Sequence, residues 1–295
     1  MRQNYIKAYR LIILCFIILV MPSLFADTAQ KGLLWQISKP GLTPSYLFGT
    51  IHSEDQRVNQ LPPLAYSHFK QAKSIVLELL LDIPTIMKSA SAMFFTGEQS
   101  LDKVLAPELF AQIVEALKPY KMPSDTVNKL KPWAVMATLS APPAQSGEFL
   151  DLILYKEAQQ LQIPTYGLEK VEEQLQVFAG LSLEEQIILL NETLKHIDEM
   201  PKIFNKLHEL YLQRDLTALM AYSLEYMQDE SNNKGLIDKF FLRAIDKRNL
   251  TMLARMEERL QEGNAFIAVG ALHLPGKKGL LMLLQGKGYQ VASLY

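Results

Sequence analysis

A six-residue pattern that occurs twice, once near each end of the chain, constrains the fold more than any other feature. Residues 47–52 read Leu-Phe-Gly-Thr-Ile-His, and residues 268–273 read Ala-Val-Gly-Ala-Leu-His. Each is an apolar run that ends in Gly-x-x-His, and the whole chain has only five histidines. Short apolar runs of this kind predict buried strands. Two such strand ends indicate a fold that brings His52 and His273 to one site, either a metal centre or an acid–base centre.

Strand-like segments lie at both ends of the chain and once in the middle, and the rest is largely helical. Strands are predicted within residues 33–38, 45–51, 74–81, 163–169, 265–272 and 289–295. Between about residues 84 and 263, apolar residues recur at three- and four-residue spacing, which predicts helices. We therefore predict an α/β (α+β) fold, in which both chain ends form one sheet around a large, mostly helical middle section.

The first 26 residues have the layout of a secretory signal peptide. Basic residues precede an uninterrupted apolar run from Leu11 to Val20, and the small residue Ala26 follows it. We predict a signal peptide over residues 1–26 and a single domain over residues 27–295, exported to the periplasm or secreted. The alternative is an uncleaved N-terminal membrane anchor, although the apolar run is shorter than the roughly 20 residues that a spanning helix needs.

Charge and cysteine content exclude several classes of function. The chain has 30 Lys and Arg against 31 Asp and Glu, so its net charge of −1 gives no basis for binding nucleic acid. The one cysteine, Cys15, lies in the predicted signal peptide. The mature chain would then lack thiol catalysis and cysteine-ligated zinc, and a cysteine-free exported chain is compatible with a bacterial cell envelope.

Both motif histidines lie where a predicted strand ends, and this is where functional sites collect in α/β folds. The glycine three residues before His52, and the one three residues before His273, would let backbone or ligand approach closely. The alternative is that each histidine is a capping or hydrogen-bonded structural residue. The other three histidines, His68, His196 and His208, have no matching context and are interpreted as structural or surface residues.

Two carboxylates and one arginine are further candidates. Glu78 lies in a predicted buried strand, where it needs either a salt bridge or a role as metal ligand or general base. Glu169 ends the short central strand, and its position before a helix is also explained by the helix dipole. Arg248 would pair with an active-site carboxylate or bind a substrate carboxylate, unless it lies on a solvated helix face.

Common hydrolase signatures do not match this sequence. His208-Glu209 opens like a zincin motif, but Leu212 stands where the second histidine belongs. Residues 276–278 lack both the glycine spacing and the Ser or Thr of a phosphate-binding loop. The chain also contains no Gly-x-Ser-x-Gly nucleophile elbow.

In combination, these residues resemble the TraB/GumN family, which includes the animal Tiki proteins. One departure is Ser53-Glu54-Asp55 after the first motif, where small residues or Gly-Asp are more usual. The matching segments follow the family's order from residue 33 to the end, and they are residues 46–52, 76–79, 131–133, 167–169, 173–174, 248–249 and 266–276.

The resemblance implies a central mixed β-sheet flanked by helices, similar to the erythromycin-esterase and ChaN-like proteins. It also implies a metal-dependent peptidase activity, as attributed to Tiki members. His52 and His273 match the motif histidines, Glu78 and Glu169 match acidic positions, and Arg248 matches a basic position.

The leading hypothesis is a metal-dependent hydrolase of the bacterial cell envelope that acts on a peptide or protein. His52 and His273, with Glu78 or Glu169, would hold manganese, cobalt or zinc. The remaining carboxylate would take a proton from water, and Arg248 would orient a carboxylate or stabilise the oxyanion. Two alternatives remain open: a peptide-binding or sequestering protein without turnover, and a haem- or iron-handling protein by analogy of fold alone.

Overall fold

The computed structural model describes residues 30–228 and 233–295. The predicted signal peptide, residues 1–26, lies outside the described residues. Within the two described ranges, no helix is both long enough and apolar enough to cross a membrane.

Strands from both chain ends and from the middle share one mixed sheet. Along the sheet their order is β4-β3-β5-β2-β1-β6. Strand β1 is antiparallel to both β2 and β6, whereas β2, β5, β3 and β4 run parallel to one another. The α/β fold predicted from the sequence is confirmed. The strands are β1 (Leu34–Ser38), β2 (Ser45–Thr50), β3 (Ser74–Leu77), β4 (Thr165–Gly167), β5 (Ala265–Gly270) and β6 (Gln290–Ser293).

The two Gly-x-x-His motifs run side by side in adjacent parallel strands. In the β2–β5 pair, Gly49 lies opposite Val269 and Thr50 lies opposite Gly270, so the motifs are offset by one residue. Strand β5 also pairs with β3, and its residues 265–269 are buried. Parallel strands that are covered on both faces are expected to read as continuous apolar runs, as these motifs do.

Helices fill most of the chain between β3 and β5, and in the described residues one further helix lies before β3 and one after β5. The helices before β4 are α1 (Pro63–Gln71), α2 (Ile83–Ala92), α3 (Leu101–Val104), α4 (Pro107–Ala116), α5 (Ser124–Lys129), α6 (Pro132–Leu139) and α7 (Leu150–Gln160). Those after β4 are α8 (Val171–Ala179), α9 (Leu183–Lys195), α10 (Met200–Leu212), α11 (Leu216–Gln228), α12 (Lys234–Phe241), α13 (Lys247–Glu262) and α14 (Leu280–Gly286).

Several predicted segments are shorter than expected or divided. Strand β3 ends at Leu77, so Glu78 is the first residue after the strand and not a residue within it. The apolar periodicity of residues 123–140 continues across two helices, α5 and α6, because Pro132 begins a new helix and has no N–H for the one before it. A π turn at residues 242–246 separates α12 from α13.

The buried apolar side chains form two clusters. One packs on both faces of the sheet, where Phe266 of β5 contacts Phe48 and Phe69. The other lies within the helical section, where Trp133 stacks on Phe178 with ring centroids 5.5 Å apart. The helical section therefore has a core of its own beside the core of the sheet.

Candidate functional site

The carboxyl ends of four parallel strands bring the predicted side chains to one edge of the sheet. His52 follows β2 by two residues, Glu78 follows β3 by one, Glu169 follows β4 by two, and His273 follows β5 by three. Arg248 reaches the same edge from the first turn of α13. The sheet edge therefore gathers all five candidates, and ligand sites in open α/β sheets occur at such edges.

Arg248 joins the two carboxylates. Its Nε atom donates to both oxygens of Glu169 at 3.0 Å, and its Nη2 atom donates to Oε2 of Glu169 at 2.7 Å and to Oε2 of Glu78. The side-chain amide of Gln174 donates to both carboxylates at 3.1 Å. The salt bridge expected as one alternative for Glu78 is therefore present.

His273 is buried between an amide and a carboxylate. Its Nδ1 atom lies 2.7 Å from Oδ1 of Asn249, and its Nε2 atom lies 3.7 Å from Oε1 of Glu78. The backbone N–H of Gly270 donates to the same Glu78 oxygen at 2.6 Å. Desolvation by burial outweighs the attraction of Glu78 and lowers the pKa of His273 to about 4. Without a bound cation, the imidazole is therefore neutral at neutral pH.

Glu78 is ionised despite its burial. Desolvation would raise the pKa of its carboxyl group, but the attraction of His273, which is protonated at the low pH where Glu78 titrates, and of Arg248 outweighs it and holds that pKa at about 2. Since only 8% of the residue is exposed, the charge is neutralised by protein groups and not by water. The site thus keeps an anionic oxygen facing a neutral imidazole.

His52 has a different environment. Its side chain is 62% exposed, and its Nε2 atom lies 3.4 Å from Oδ2 of the buried Asp151. The hydroxyl of Thr50 donates to the other oxygen of Asp151 at 3.1 Å. Crowding by surrounding protein atoms lowers the pKa of His52 through desolvation, but the Asp151 carboxylate outweighs this and raises that pKa to about 9. The imidazole is therefore protonated at neutral pH.

The two motif glycines explain how these groups fit together. A Cβ atom on Gly49 would lie 3.1 Å from Cα of Ala271, in the 3₁₀ turn that carries His273. A Cβ atom on Gly270 would lie 3.2 Å from Oε1 of Glu78. Only glycine lets the turn pack against β2 and the carboxylate reach the backbone of β5 without displacement.

A large cleft opens beside this cluster. Its volume is about 1470 Å³, and its walls include residues 52–57, the loop after α6, and α10. Glu54 holds that loop, because its carboxylate accepts backbone N–H bonds from Gln145, Ser146 and Gly147 at 2.7–3.0 Å. Of the five predicted residues, His52 lines the cleft, whereas the other four are not among its lining residues.

As placed, the predicted residues do not form a complete metal cage. Within residues 30–228 and 233–295, no three His, Cys, Asp or Glu side chains lie close enough to hold an ion. Both oxygens of Glu169 accept hydrogen bonds from Arg248. Nε2 of His273 faces Oε1 of Glu78 at 3.7 Å without a hydrogen bond, whereas His52 is protonated and paired with Asp151, and it would have to lose its proton before it could bind an ion. That His52, His273, Glu78 and Glu169 bind a metal stays a prediction.

Three residues near the site were not predicted from the sequence. Asp151 and Asn249 contact His52 and His273, and His208, interpreted above as structural or surface, lines the cleft. Asp151 carried a detectable signal, because it falls on the apolar face of α7 that Leu154 and Ala158 also occupy. A carboxylate on a buried helix face needs a partner.

These features define an α/β protein whose strand ends gather two histidines, two carboxylates and an arginine beside a cleft. Over residues 33–293 the chain matches the TraB/PrgY/gumN family, and it belongs to that family. The resemblance predicted from the motifs is thereby confirmed.

The relatives of this chain include animal metalloproteases and a bacterial protein. Metalloprotease TIKI2 from Danio rerio is 27% identical over 89% of this chain, and metalloprotease TIKI1 from Homo sapiens is 27% identical over 88%. In both cases the chain spans 61% of the relative's length. The uncharacterized protein YbaP from Shigella flexneri is 22% identical, over 84% of this chain and 90% of its own. No solved structure shows a significant match to the chain.

Proposed function

We propose that the protein is an exported, metal-dependent hydrolase of the bacterial cell envelope that acts on peptides or proteins. The peptidase class rests on relatives whose names include metalloprotease. Export rests on the signal-like residues 1–26, which would also tether the protein to the membrane if they are retained. The observation that carries the proposal is the facing pair of Nε2 of His273 and Oε1 of Glu78, 3.7 Å apart, within electrostatic reach of His52.

The donor chemistry of this edge fits a divalent ion. His273, His52 and Glu78 would supply mixed nitrogen and oxygen ligation, which suits manganese, cobalt or zinc and does not choose between them. Near His52, the buried Oδ2 of Asp151 accepts no hydrogen bond within the described ranges, and its charge is met by the protonated His52 imidazole, whose Nε2 lies 3.4 Å away. We leave Glu169 out of the proposed ligands, because Arg248 engages both of its oxygens.

The chain's own residues would bind and orient the substrate. A divalent ion held here would supply Lewis acidity, which polarises a scissile carbonyl and lowers the pKa of water. Glu78 is a weak general base, since its pKa is about 2, and it suits the role of an anionic ligand. Arg248 holds both carboxylates in place, and His52 presents its imidazole to whatever occupies the cleft.

A second candidate is a peptide-binding protein without turnover. The specific observation in its favour is burial: Glu78, Glu169 and His273 are each at most 8% exposed, and none of them lines the cleft. In this alternative a peptide would contact His52 and the cleft walls, and no metal would be required.

Elemental analysis and a peptide-cleavage assay test the two candidates together. We expect the purified protein to retain close to one equivalent of manganese, cobalt or zinc, and to cleave a random peptide library in a chelator-sensitive manner. His52→Ala and His273→Ala should lose metal and activity. His196→Ala, a histidine in the helical section, should keep both.

The outcomes separate the candidates. Metal retention by both motif-histidine variants, at the wild-type stoichiometry, would contradict the proposed site. A metal-free wild type that binds peptides without cleaving them would favour the sequestering protein. Iron or haem in the purified protein would favour the haem-handling alternative.

A further inference from the structure

Asn249 is fully buried, and all of its side-chain polar atoms have partners. Its Nδ2 atom donates to the backbone oxygens of Lys278 at 2.8 Å and of His273 at 3.3 Å. Its Oδ1 atom lies 2.7 Å from Nδ1 of His273. The opposite orientation of the amide would set Oδ1 against two carbonyl oxygens. The hydrogen-bond network therefore assigns the orientation of the amide group.

The orientation of Asn249 decides which nitrogen of His273 carries a proton. Because Oδ1 can only accept, Nδ1 of His273 must donate to it, which places the hydrogen on Nδ1. The lone pair of the neutral ring is then on Nε2. That atom faces Oε1 of Glu78 at 3.7 Å, a distance too long for a hydrogen bond.

Two acceptors thus face each other across a short gap. The Glu78 oxygen is held there by the backbone N–H of Gly270, at 2.6 Å. Neither that oxygen nor Nε2 of His273 offers a hydrogen to the other. A cation between them would turn an unfavourable approach of two lone pairs into coordination by both.

We infer that Asn249 is a positioning residue: it holds His273 as the Nδ1–H tautomer, so that Nε2 is free to bind a divalent cation together with Glu78. This inference rests on the proposed function for the identity of the cation. The hydrogen-bond assignment itself does not depend on it. Residues that orient a ligating histidine in this way typically change metal affinity by about 10- to 100-fold when they are replaced.

Two-bond ¹H–¹⁵N correlation spectra of the full-length protein, recorded at pH 7.5 without metal, report the tautomer directly. The His273→Ala variant assigns the signals. We expect the Nδ1–H pattern for His273 in the wild type. Asn249→Leu removes that acceptor and should shift His273 towards the Nε2–H tautomer. Asn191→Leu, a control that removes an amide in α9, should leave the pattern unchanged.

Wild-type His273 in the Nε2–H form, or doubly protonated, overturns the inference. An unchanged Nδ1–H pattern in Asn249→Leu overturns it as well. If Asn249→Leu does not fold, the wild-type spectrum still decides whether His273 is held as the Nδ1–H tautomer.

Zinc titration by calorimetry tests whether Asn249 affects the metal affinity of His273 and Glu78. Asn249→Leu should bind Zn²⁺ at least tenfold more weakly than the wild type and the Asn191→Leu control. Equal affinity in Asn249→Leu overturns the positioning role. If the wild type shows the Nδ1–H pattern but binds neither Zn²⁺, Mn²⁺ nor Co²⁺, the proposed metal function fails and the assignment of the tautomer stands.

Discussion

Nε2 of His52 lies 3.4 Å from Oδ2 of Asp151, and that oxygen is buried without a hydrogen-bond partner in the described part of the chain. The pair couples an exposed imidazole to an anion that water does not solvate. Since the carboxylate is fixed by Thr50 and by its place on α7, the charge of Asp151 acts on His52 from a constant position.

The first prediction concerns the pKa of His52. Asp151→Asn removes the charge that overcomes desolvation, so the pKa of His52 should fall from about 9 to near or below its ordinary value of about 6.5. An NMR titration of the His52 ring in the metal-free protein measures this. Asp215→Asn, which removes a carboxylate paired with Lys31, is the control and should leave the titration unchanged.

The raised pKa also fixes the direction of a stability change. A folded-state pKa above the unfolded value contributes stability that is fully present below about pH 6.5 and is lost as the pH rises through about 9. The free energy of unfolding of the wild type, relative to Asp151→Asn, should therefore decline between these values. A difference that grows with pH across this window would contradict the His52–Asp151 coupling.

The second prediction follows for metal binding, if the proposed function holds. His52 must lose its proton before it can ligate a cation, so zinc affinity should rise by up to about tenfold per pH unit between pH 6.5 and 8.5. Calorimetry in two buffers of different ionisation enthalpy would detect the released proton. If only His273 and Glu78 bind zinc, without His52, the zinc affinity should be nearly independent of pH in this range, since the pKa values of His273 and Glu78 lie at about 4 or lower.

The third prediction concerns Arg248, which neutralises two buried carboxylates. Arg248→Met should lower the free energy of unfolding by about 3–5 kcal/mol at pH 7, because Glu78 and Glu169 would remain buried without a counter-charge. Arg255→Met is a matched control on the same helix, since its pair with Glu173 is solvent-exposed and should contribute about 1 kcal/mol or less. Urea unfolding measures both.

The pH dependence of the Arg248 variant provides a further check. The pKa of Glu78 is depressed in the wild type, so the stability it contributes is present above about pH 4.3 and is lost as the pH falls towards 2. Without Arg248 the buried Glu78 carboxyl takes up its proton at higher pH. The destabilisation should therefore be smaller at pH 4 than at pH 7, and the reverse order would argue against the ion pair.

The fourth prediction tests the glycine of the second motif. A methyl group at Gly270 would lie 3.2 Å from Oε1 of Glu78, so Gly270→Ala must shift that oxygen by a few tenths of an ångström, whereas its 3.5 Å separation from the His273 ring is an ordinary contact. We expect zinc affinity to fall by about tenfold with the fold retained. Gly286→Ala, where a methyl group meets nothing within 4 Å, should bind zinc as the wild type does. Equal affinities in the two variants would show that the Glu78–Gly270 contact does not position a ligand.

Much of the fold could be predicted because its signals are local. The two apolar Gly-x-x-His runs predicted strands from both chain ends in one sheet, and β2 and β5 are indeed adjacent. The register between them could not be predicted, because either offset buries a continuous apolar run. The division into α5 and α6 at Pro132 depends on tertiary packing as well as on the missing N–H, so apolar periodicity alone does not show where one helix ends and the next begins.

The candidate site was predictable only in part. The strand-end positions of the motif histidines and of Glu78 are visible in the sequence, and Arg248 was correctly expected to pair with a carboxylate as one alternative. The apolar face of α7 signals that Asp151 needs a partner, but the sequence does not show that this partner is His52, which lies about 100 residues away. Such a pairing is fixed by the three-dimensional arrangement of β2 and α7.

The fifth prediction concerns Glu54, part of the unusual Ser-Glu-Asp sequence after the first motif. Its carboxylate accepts N–H bonds from residues 145–147 and a hydroxyl bond from Ser146, and these bonds hold one wall of the cleft. Glu54→Ala should release this loop, so backbone amides 145–147 should exchange with deuterium at least tenfold faster. Glu148→Ala, which removes a carboxylate of the same loop that pairs with Lys156, is the matched control.

The same contact should respond to acid. Hydrogen bonding by the backbone N–H of Ser146 lowers the pKa of Glu54 below its ordinary value. The hydrogen bonds from residues 145–147 to Glu54 are therefore at full strength above about pH 4.5. They weaken as the pH falls through the lowered pKa of Glu54, because a protonated carboxyl accepts hydrogen bonds less strongly. Exchange at residues 145–147, corrected for its intrinsic pH dependence, should accelerate on acidification in the wild type but not in Glu54→Ala. Equal exchange in Glu54→Ala, Glu148→Ala and the wild type would show that other contacts hold the loop.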